Sequence, residues 1–305
     1  MELRLLRYFI ALADFQSISE AAKQLHISQP TLSRQLSDLE DELGTQLFIR
    51  GNRKISLTND GLYLLAKAKE IVHLSEKTEA NFKQSGEIIS GEIQIGSGES
   101  DTMGFIAQSI KHLTNQHPEI HIHLYSGNSD DLFEKLENGL LDFGIIVETV
   151  DKRMYDYLHL PIQDTWGVLM PKDSPLAQKE VIVPTDLLEL PLIVSRQALT
   201  YNELSGWFGE TLNQLDIRCT YNLIYNAAKM VEANIGYALS LDKLIKSYDD
   251  SQLCFRPLDP PLTANLYLIW KKHQVFSKAS ATFLKQLRTD IDQYRLTNKM
   301  NLDSL

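Results

Sequence analysis

The stretch from Ser17 to Leu43 constrains the fold most, because it has the pattern of two helices joined by a tight turn. Ser17 is a favourable N-cap, and Glu20 follows at the three-residue spacing of a capping box. His26 and Ile27 then interrupt the helical period. These features predict a short helix, a turn and a second helix.

The second helix of this pair is predicted to begin at Ser28 and to have two contrasting faces. Its apolar face, which should lie against a core, comprises Leu32, Leu36, Leu39 and Leu43. The N-terminal turn and the outward face present Ser28, Gln29, Pro30, Thr31, Ser33, Arg34 and Ser37. Such donors and acceptors are typical of helices that contact base edges in the major groove of DNA. On this helix alone, a solvated amphipathic helix is an equally good interpretation.

The segment after Gly44 is predicted to form a β-hairpin with a basic tip. Its two extended runs, Leu47–Arg50 and Ile55–Leu57, are joined by a turn of composition Gly-Asn-Arg-Lys. Cations at such a tip suit contact with phosphates or a minor groove. They are Arg50, Arg53 and Lys54. A solvated turn with incidental charge is the alternative. With a first helix over Leu3–Phe15, these pieces predict a winged helix-turn-helix over residues 1–58.

The distribution of charge matters more here than its sum. The chain carries a net charge of −10, which argues against nucleic-acid binding through bulk charge. Within residues 1–58, seven Lys and Arg residues balance seven Asp and Glu residues. Four of those acids cluster between Asp38 and Glu42, away from the cations at Arg34 and on the hairpin. DNA affinity would therefore depend on a few placed cations.

A long helix is predicted from Asn59 to about Gln84, with Thr58 as its cap. Its stripe of three- and four-residue spacing consists of Leu62, Leu65, Ala66, Lys69, Val72 and Glu76, flanked by Leu64, Ala68 and Ile71. A small preceding domain could not cover this stripe, so a helix–helix dimer contact is favoured over a helix folded back on its own subunit. Residues 85–90 are predicted to form a hinge.

From Gly91 onward the pattern alternates between strands and helices, which predicts a parallel sheet. The order of these elements fits two α/β subdomains with a cleft between them. The predicted strands are Glu92–Gly96, Ile120–Ser126, Phe143–Val147, Trp166–Met170, Leu187–Leu188, Leu192–Ser195, Thr220–Ile224, Tyr237–Leu239, Phe255–Leu258 and Leu266–Lys271. The predicted helices are Thr102–Gln116, Ser129–Asn138, Leu204–Leu215, Ala227–Asn234 and Lys278–Tyr294.

The sequence offers little support for catalysis, a metal or a membrane location. The run from Gly96 to Ser100 lacks both the third glycine of a dinucleotide loop and the elbow of a hydrolase. His117, His121 and His123 have no carboxylate or cysteine at ligand spacing. No apolar run reaches membrane-spanning length, and the N-terminus does not have the pattern of a signal peptide. We therefore expect a cytoplasmic protein that is not an enzyme and has no cofactor.

Several motifs resemble those of LysR-type transcriptional regulators, along the whole chain. The most specific are AAKQLHISQPTLSRQLSDLEDELGTQLFIR and the following SLTNDG. Individually weaker motifs follow in the family's order: GEIQIGSGES, NQHPEIHIHLYSGNSDDLFEKLENGLLDFGII, VLMPKDSPLA and LYLIWKKHQVFSKASATFL. The resemblance implies an α+β multidomain protein: a winged helix-turn-helix (1–58), a linker helix and hinge (59–90), and a periplasmic-binding-protein-like effector domain (91–305). Its subdomains would span about 91–161 with 267–305, and about 162–266.

The resemblance also implies partners and sites. The family binds interrupted palindromes of double-stranded DNA as homodimers or homotetramers, works with RNA polymerase, and responds to a small co-inducer bound between the two subdomains. Residues that would line this co-inducer site are Ser97, Gly98, Glu99, Ser100, Asp101, Ser129, Ser195, Arg196, Asn226 and Asp242. Hydroxyls and exposed N–H groups after the first strand can hold an anion.

Two features depart from the family pattern. The usual Gly-x-Gly before the last strand of the second subdomain is Asn234-Ile235-Gly236, where Asn tolerates a left-handed conformation. Glu99 and Asp101 place negative charge at the mouth of the expected anion site, which leaves room for a neutral or cationic co-inducer. A second hypothesis is a ligand-binding α/β protein, of solute-receptor or enzyme type, whose N-terminal region only mediates oligomerisation. The polar helix face with Arg34 and the basic hairpin favour the regulator.

Overall fold

The computed structural model describes residues 1–51, 54–82, 88–147, 150–200, 204–245 and 252–302. The chain divides into two compact units, Met1–Ser85 and Gly86–Leu305. The predicted hinge, residues 85–90, lies partly outside the described residues. None of the described helices is long and apolar enough to cross a lipid bilayer.

The first unit consists of helices and one small hairpin. Its elements are α1 (Leu3–Phe15), α2 (Ile18–Gln24), α3 (Gln29–Leu43), β1 (Phe48–Arg50), β2 (Ile55–Leu57) and α4 (Asn59–Phe82). The predicted caps are confirmed: Ser17 accepts a hydrogen bond from the N–H of Glu20, and Thr58 accepts one from the N–H of Gly61. Ser28, where the second helix was predicted to begin, accepts one from the N–H of Thr31. His26 has a φ of 54°, which turns the chain sharply between α2 and α3.

The core of this unit lies beneath α3 and contains most of its leucine stripe. Leu32, Leu36 and Leu39 are at most 1% exposed, as predicted. The prediction for Leu43 was wrong, because its side chain is 40% exposed. Leu43 is the last residue of α3, and the chain turns away at Gly44, which has a φ of 66°. The end of the helix therefore extends past the small core.

Helix α4 packs against α1 of its own unit, mainly through residues that flank the stripe predicted for the dimer contact. Its buried residues, Leu64, Ala68 and Val72, belong to the core of the first unit. Of these, only Val72 belongs to the principal stripe predicted from the sequence, and the other two belong to its flank. An apolar part of α4 remains exposed in this unit and includes Leu62, Tyr63, Ile71 and Leu74.

The second unit contains one nine-stranded mixed sheet. Its strands are β3 (Gly91–Ser97), β4 (Ile120–Ser126), β5 (Phe143–Ile146), β6 (Tyr155–Pro171), β7 (Pro191–Ser195), β8 (Asp216–Tyr221), β9 (Tyr237–Leu241), β10 (Leu253–Pro257) and β11 (Thr263–Lys271). The strand order is β4-β3-β5-β11-β6-β9-β7-β8, and β10 pairs separately with β6. The helices are α5 (Met103–Gln116), α6 (Ser129–Glu137), α7 (Arg196–Thr200), α8 (Ser205–Phe208), α9 (Ile224–Glu232) and α10 (Lys278–Leu302).

Strand β6 joins the two halves of this sheet. Its first part pairs with β11, and its last part pairs with both β9 and β10. The predicted parallel arrangement is confirmed within each half, for β3 with β4 and β5, and for β7 with β8 and β9. Separate hydrophobic clusters pack around the two halves. The sheet therefore forms two α/β subdomains that share a crossing strand.

Several predicted elements differ from the structure. Of the long strand β6, the sequence predicts only Trp166–Met170. The N-terminal half, YDYLHLPIQD, mixes polar and apolar residues and pairs antiparallel with β11, so it lacks the continuous apolar run of a buried strand. Pro184–Leu187 forms a 3₁₀ helix where a strand at Leu187–Leu188 was expected. The helix predicted over Leu204–Leu215 is broken at Gly209, which has a φ of 54°. Helix α7 was not predicted.

The boundary between β8 and α9 also differs from the prediction. Strand β8 ends at Tyr221, and Ile224 is already the first residue of α9. The predicted strand extends to Ile224, because a β-branched residue there continues an apolar run. Asn234 has a φ of 59°, which confirms the left-handed conformation expected where the family has glycine.

Candidate DNA-binding surface and effector cleft

The outward face of α3 carries the polar groups that the sequence placed there. Ser28, Gln29, Pro30, Thr31, Arg34 and Ser37 are exposed, and Ser33 is half-buried. The hydroxyls of Ser28 and Thr31 lie 2.7 Å apart at the start of the helix. Arg34 makes no ion pair or hydrogen bond with the described residues, so its guanidinium group is available to an external partner.

The hairpin contacts this face directly through Arg50. Its Nη2 atom donates a hydrogen bond of 3.0 Å to Oγ of Ser33 on α3, and its guanidinium lies 5.8 Å from the ring centroid of Phe48. At the tip, the N–H of Gly51 donates to the carbonyl of Lys54 at 3.1 Å, and Lys54 is exposed. Arg53 lies outside the described residues. The hairpin thus brings cationic groups beside α3.

A carboxylate two turns after Ser33 on α3 fixes the start of the hairpin. Oε1 of Glu40 accepts hydrogen bonds from the backbone N–H groups of Leu47, at 2.7 Å, and Phe48, at 3.2 Å. The side chains of Leu47 and Phe48 are buried in the core of the same unit. This arrangement holds β1 in register with α3 and explains one acid of the cluster that the sequence showed at the C-terminal end of the helix.

The second unit contains a cleft with two adjoining lobes. The first lobe encloses about 90 Å³, and the second encloses about 310 Å³. Gly98, Glu99, Ile224 and Leu244 line both lobes, so these residues separate one from the other. The remaining walls come mainly from the ends of β3, β4 and β5 in one subdomain and from β7, β8, α7 and α9 in the other. The cleft therefore lies between the subdomains, as expected.

The structure brings six of the ten predicted effector residues to this cleft. They are Ser97, Gly98, Glu99, Ser100, Ser129 and Ser195. The other four, Asp101, Arg196, Asn226 and Asp242, are not among the described lining residues. Asn226 is exposed on α9, and the carboxylate of Asp242 accepts a hydrogen bond from the N–H of Thr165 at 2.9 Å. Asp242 thus holds the crossing strand.

Among the described residues, a hydrogen bond between Glu99 and Ile224 crosses the cleft. Oε2 of Glu99, which follows β3 in the first subdomain, accepts from the backbone N–H of Ile224 in the second. Ile224 is the first residue of α9, whose capping position, Leu223, provides no side-chain cap. The negative carboxylate is stabilised by the positive end of the helix dipole. Glu99 therefore serves as the N-terminal cap of α9.

Beside the cleft, three acidic groups surround one lysine. Lys243 lies 3.4 Å from Oδ2 of Asp242 and 3.7 Å from Oδ2 of Asp101. Asp164, on β6, is fully buried; its Oδ1 is 3.4 Å from the hydroxyl of Thr102, and its Oδ2 has no partner among the described residues. Burial is the main reason that the pKa of Asp164 is raised, and the negative charges of Asp242 and Asp101 add to it.

Several lining residues were missed by sequence reasoning because they come from apolar strands and helix starts. Trp166, Leu241 and Leu244 are indistinguishable from core residues in the sequence, and Gln197 lies on the short helix α7, which was not predicted. Tyr221 is the last residue of β8 and Asn222 follows it, so both lie at the end of a strand, the position that supplied several of the predicted residues. That signal could have identified them.

Comparisons with known proteins agree with both units. Residues 3–62 match the model of the bacterial regulatory helix-turn-helix protein, lysR family, and residues 87–292 match the LysR substrate binding domain. The Hca operon transcriptional activator HcaR of Escherichia coli (strain K12) is 30% identical over 90% of this chain and 93% of its own. The HTH-type transcriptional regulator BsdA of Bacillus subtilis (strain 168) is 32% identical over 78% of this chain and 83% of its own.

A solved structure shows the same fold. Full-length CbnR complexed with its target DNA aligns with a TM-score of 0.74 at 20% identity, over 95% of this chain and 100% of that one. The family matches together cover both units of the chain. The protein therefore belongs to the LysR family of DNA-binding transcriptional regulators that have an effector-binding domain.

Proposed function

We propose that this regulator binds an interrupted palindrome as a homo-oligomer through α3 and the hairpin, and that a small co-inducer in the cleft controls its action. The exposed guanidinium of Arg34, which has no partner among the described residues, carries the proposal for DNA. It lies on the outward face of a helix whose opposite face buries Leu32, Leu36 and Leu39, beside a hairpin cation that donates a hydrogen bond to Ser33. A guanidinium presented in this way matches the O6 and N7 acceptors of guanine.

The exposed apolar part of α4 supports the oligomer. Tyr63 is 70% exposed and Leu74 is 43% exposed, although both lie on a long, ordered helix. Burying this surface against α4 of a second copy would remove it from water and place two α3 helices on one duplex. Two copies would also double the small number of cations available to the DNA.

The cleft supports control by a small molecule. It lies between subdomains that share one strand and are joined across the opening by the Glu99–Ile224 hydrogen bond. A ligand that binds both walls changes the relative free energies of open and closed forms by its differential affinity. RNA polymerase is the expected downstream partner, and the cytoplasm, where the promoter DNA is, is the expected location.

The groove assignment is tested by Arg34→Ala in a gel-shift assay with the cognate promoter. Loss of the guanidinium should weaken specific binding by about 1–3 kcal/mol and leave the oligomeric state unchanged. Arg4→Ala removes another exposed arginine of the same unit, on α1, and is the matched control with wild-type affinity expected. Equal affinities for Arg34→Ala and the wild type would contradict the assignment and favour a ligand-binding protein with an N-terminal oligomerisation unit.

A further inference from the structure

The charge of the cleft is unusual for a site that binds an anion. Among the described residues that line the two lobes, Glu99 is the one with a charged side chain at neutral pH. No lysine, arginine or histidine is present among those residues. A carboxylate ligand would lose hydration and approach the like charge of Glu99, with no cation among the described lining residues to offset either cost in free energy.

Two helices that begin on the cleft wall, α9 and α6, have acidic groups at their N-terminal ends. The N–H of Ile224 at the start of α9 donates to Glu99. Helix α6 begins at Ser129 on the cleft wall, and its first turn contains Asp130 and Asp131. These carboxylates neutralise the positive ends of both helix dipoles. The acidic groups around Lys243 add further negative potential beside the cleft.

Glu99 retains a free acceptor toward a ligand. Oε2 is engaged by the N–H of Ile224, whereas Oε1 has no hydrogen-bond partner among the described residues. The hydrogen bond and its position at the positive end of the helix dipole fix the carboxylate in place. A fixed carboxylate that borders both lobes is suited to bind a cationic donor, because charge-assisted hydrogen bonds are the strongest that such a group forms.

The second lobe offers apolar surface and aromatic rings next to this carboxylate. Met103, Leu124, Leu244 and Ile245 contribute apolar atoms, and Tyr125 and Tyr225 contribute rings. The ammonium group of Lys135 lies 4.6 Å from the ring centroid of Tyr125, and that of Lys229 lies 5.8 Å from that of Tyr225. Lys229 is also held by Glu232 at 2.9 Å. The rings of this lobe therefore already accept ammonium groups.

We propose that the effector is a small molecule with an ammonium or guanidinium group on an apolar body, and that Glu99 binds this cation and excludes carboxylates. The apolar body occupies the second lobe, and the cation lies at the boundary between the lobes. The proposal rests on the effector role of the cleft and names the chemical class of its ligand. Glu99 is the residue that determines specificity for that class.

Two matched sets of probes test the proposal on the full-length protein. Benzylamine, benzyl alcohol and benzoate share one skeleton, and hexylamine, hexanol and hexanoate share another. Binding is measured by thermal shift and calorimetry for the wild type, Glu99→Gln and the control Glu119→Gln, which neutralises an exposed carboxylate outside the cleft lining. We expect an amine to raise the Tm of the wild type and of Glu119→Gln, because a ligand that binds only the folded state stabilises it.

In Glu99→Gln the amine should bind at least about tenfold more weakly, while the corresponding carboxylate should bind better than to the wild type. The proposal is overturned if no amine stabilises the wild type, if a carboxylate does so, or if Glu99→Gln leaves amine affinity unchanged. Gel shifts on the same preparations distinguish a failure of the proposed ligand class from a failure of the proposed effector role of the cleft. If the protein binds the promoter but no amine, the ligand class alone is contradicted. If an amine binds but leaves promoter binding in the gel shift unchanged, the effector role of the cleft is contradicted.

Discussion

The carboxylate of Glu99 and the backbone N–H of Ile224 form a hydrogen bond across the cleft, although 125 positions separate them in the sequence. Glu99 follows β3 in one subdomain, and Ile224 begins α9 in the other. The bond therefore caps a helix and joins the two walls of the effector cleft at once. Opening the cleft must break it, so its strength contributes to the balance between open and closed forms.

Glu99→Ala should destabilise the second unit by about 1 kcal/mol, the usual cost of removing a helix cap. Hydrogen exchange at the amide of Ile224 should become faster, because its acceptor is lost. Glu99→Gln keeps a carbonyl oxygen as acceptor and should retain much of the protection. Exchange followed by mass spectrometry on peptides that contain residues 222–226 provides the measurement; equal protection in Glu99→Ala and the wild type would show that the bond does not cap α9.

Gly61→Ala should destabilise the first unit by about 1–3 kcal/mol through overpacking, although alanine normally stabilises a helix relative to glycine. A Cβ atom at Gly61 would lie 1.9 Å from the carbonyl oxygen of Leu47, far inside van der Waals contact. Alanine would therefore push α4 away from the backbone just before β1. Gly104→Ala in α5 is the control, because a Cβ there meets nothing within 4 Å. Chemical denaturation should show a lower unfolding free energy for Gly61→Ala and a higher one for Gly104→Ala, each relative to the wild type. Stabilisation by Gly61→Ala would contradict the close approach.

Leu74→Glu should weaken self-association without unfolding the first unit. Leu74 is 43% exposed on α4, so its replacement disturbs little within the subunit but places a charge in the proposed contact. Leu296→Glu changes an exposed leucine on α10 and serves as the control. Sedimentation velocity over a range of concentrations measures both variants. An unchanged association constant for Leu74→Glu would show that the exposed part of α4 does not form the contact.

Asp164→Asn should flatten the pH dependence of stability of the second unit. Since burial raises the pKa of Asp164 in the folded protein, the folded state binds more protons than the unfolded state above the ordinary carboxyl pKa. This contribution to stability is present at low pH and is lost as pH rises through the raised pKa. The unfolding free energy of Asp164→Asn should therefore rise relative to that of the wild type as pH rises. A difference between the two that does not depend on pH would contradict the raised pKa of Asp164.

The sequence was sufficient for the features that local patterns determine. The caps at Ser17 and Ser28, the buried leucines of α3 and the left-handed Asn234 each follow from a residue type at a defined spacing. Features that depend on tertiary contacts were missed. The exposure of Leu43 depends on where the core ends, and the mixed first half of β6 is a strand only because β11 pairs with it.

The effector cleft shows the same division between local and tertiary information. Ser97 and Ser195, which end β3 and β7, were assigned to its wall through the family resemblance, and both line the cleft. The role of Asp242 could not be predicted in this way. Its carboxylate accepts a hydrogen bond from the N–H of Thr165, on a strand whose position the sequence did not reveal. The bond from Ile224 to Glu99 was likewise hidden, since a backbone donor leaves no signal in the sequence.

In vitro selection from random double-stranded DNA tests the central claim most directly, because the protein itself selects the sequence that it binds. The full-length wild type should enrich an interrupted palindrome whose half-sites lie on one face of the duplex, as expected for two copies of α3. Arg34→Ala should lose the preference at one base pair in each half-site, and Arg4→Ala should select the wild-type sequence. Absence of any enriched sequence with the wild type, or an identical sequence with Arg34→Ala, would contradict the account.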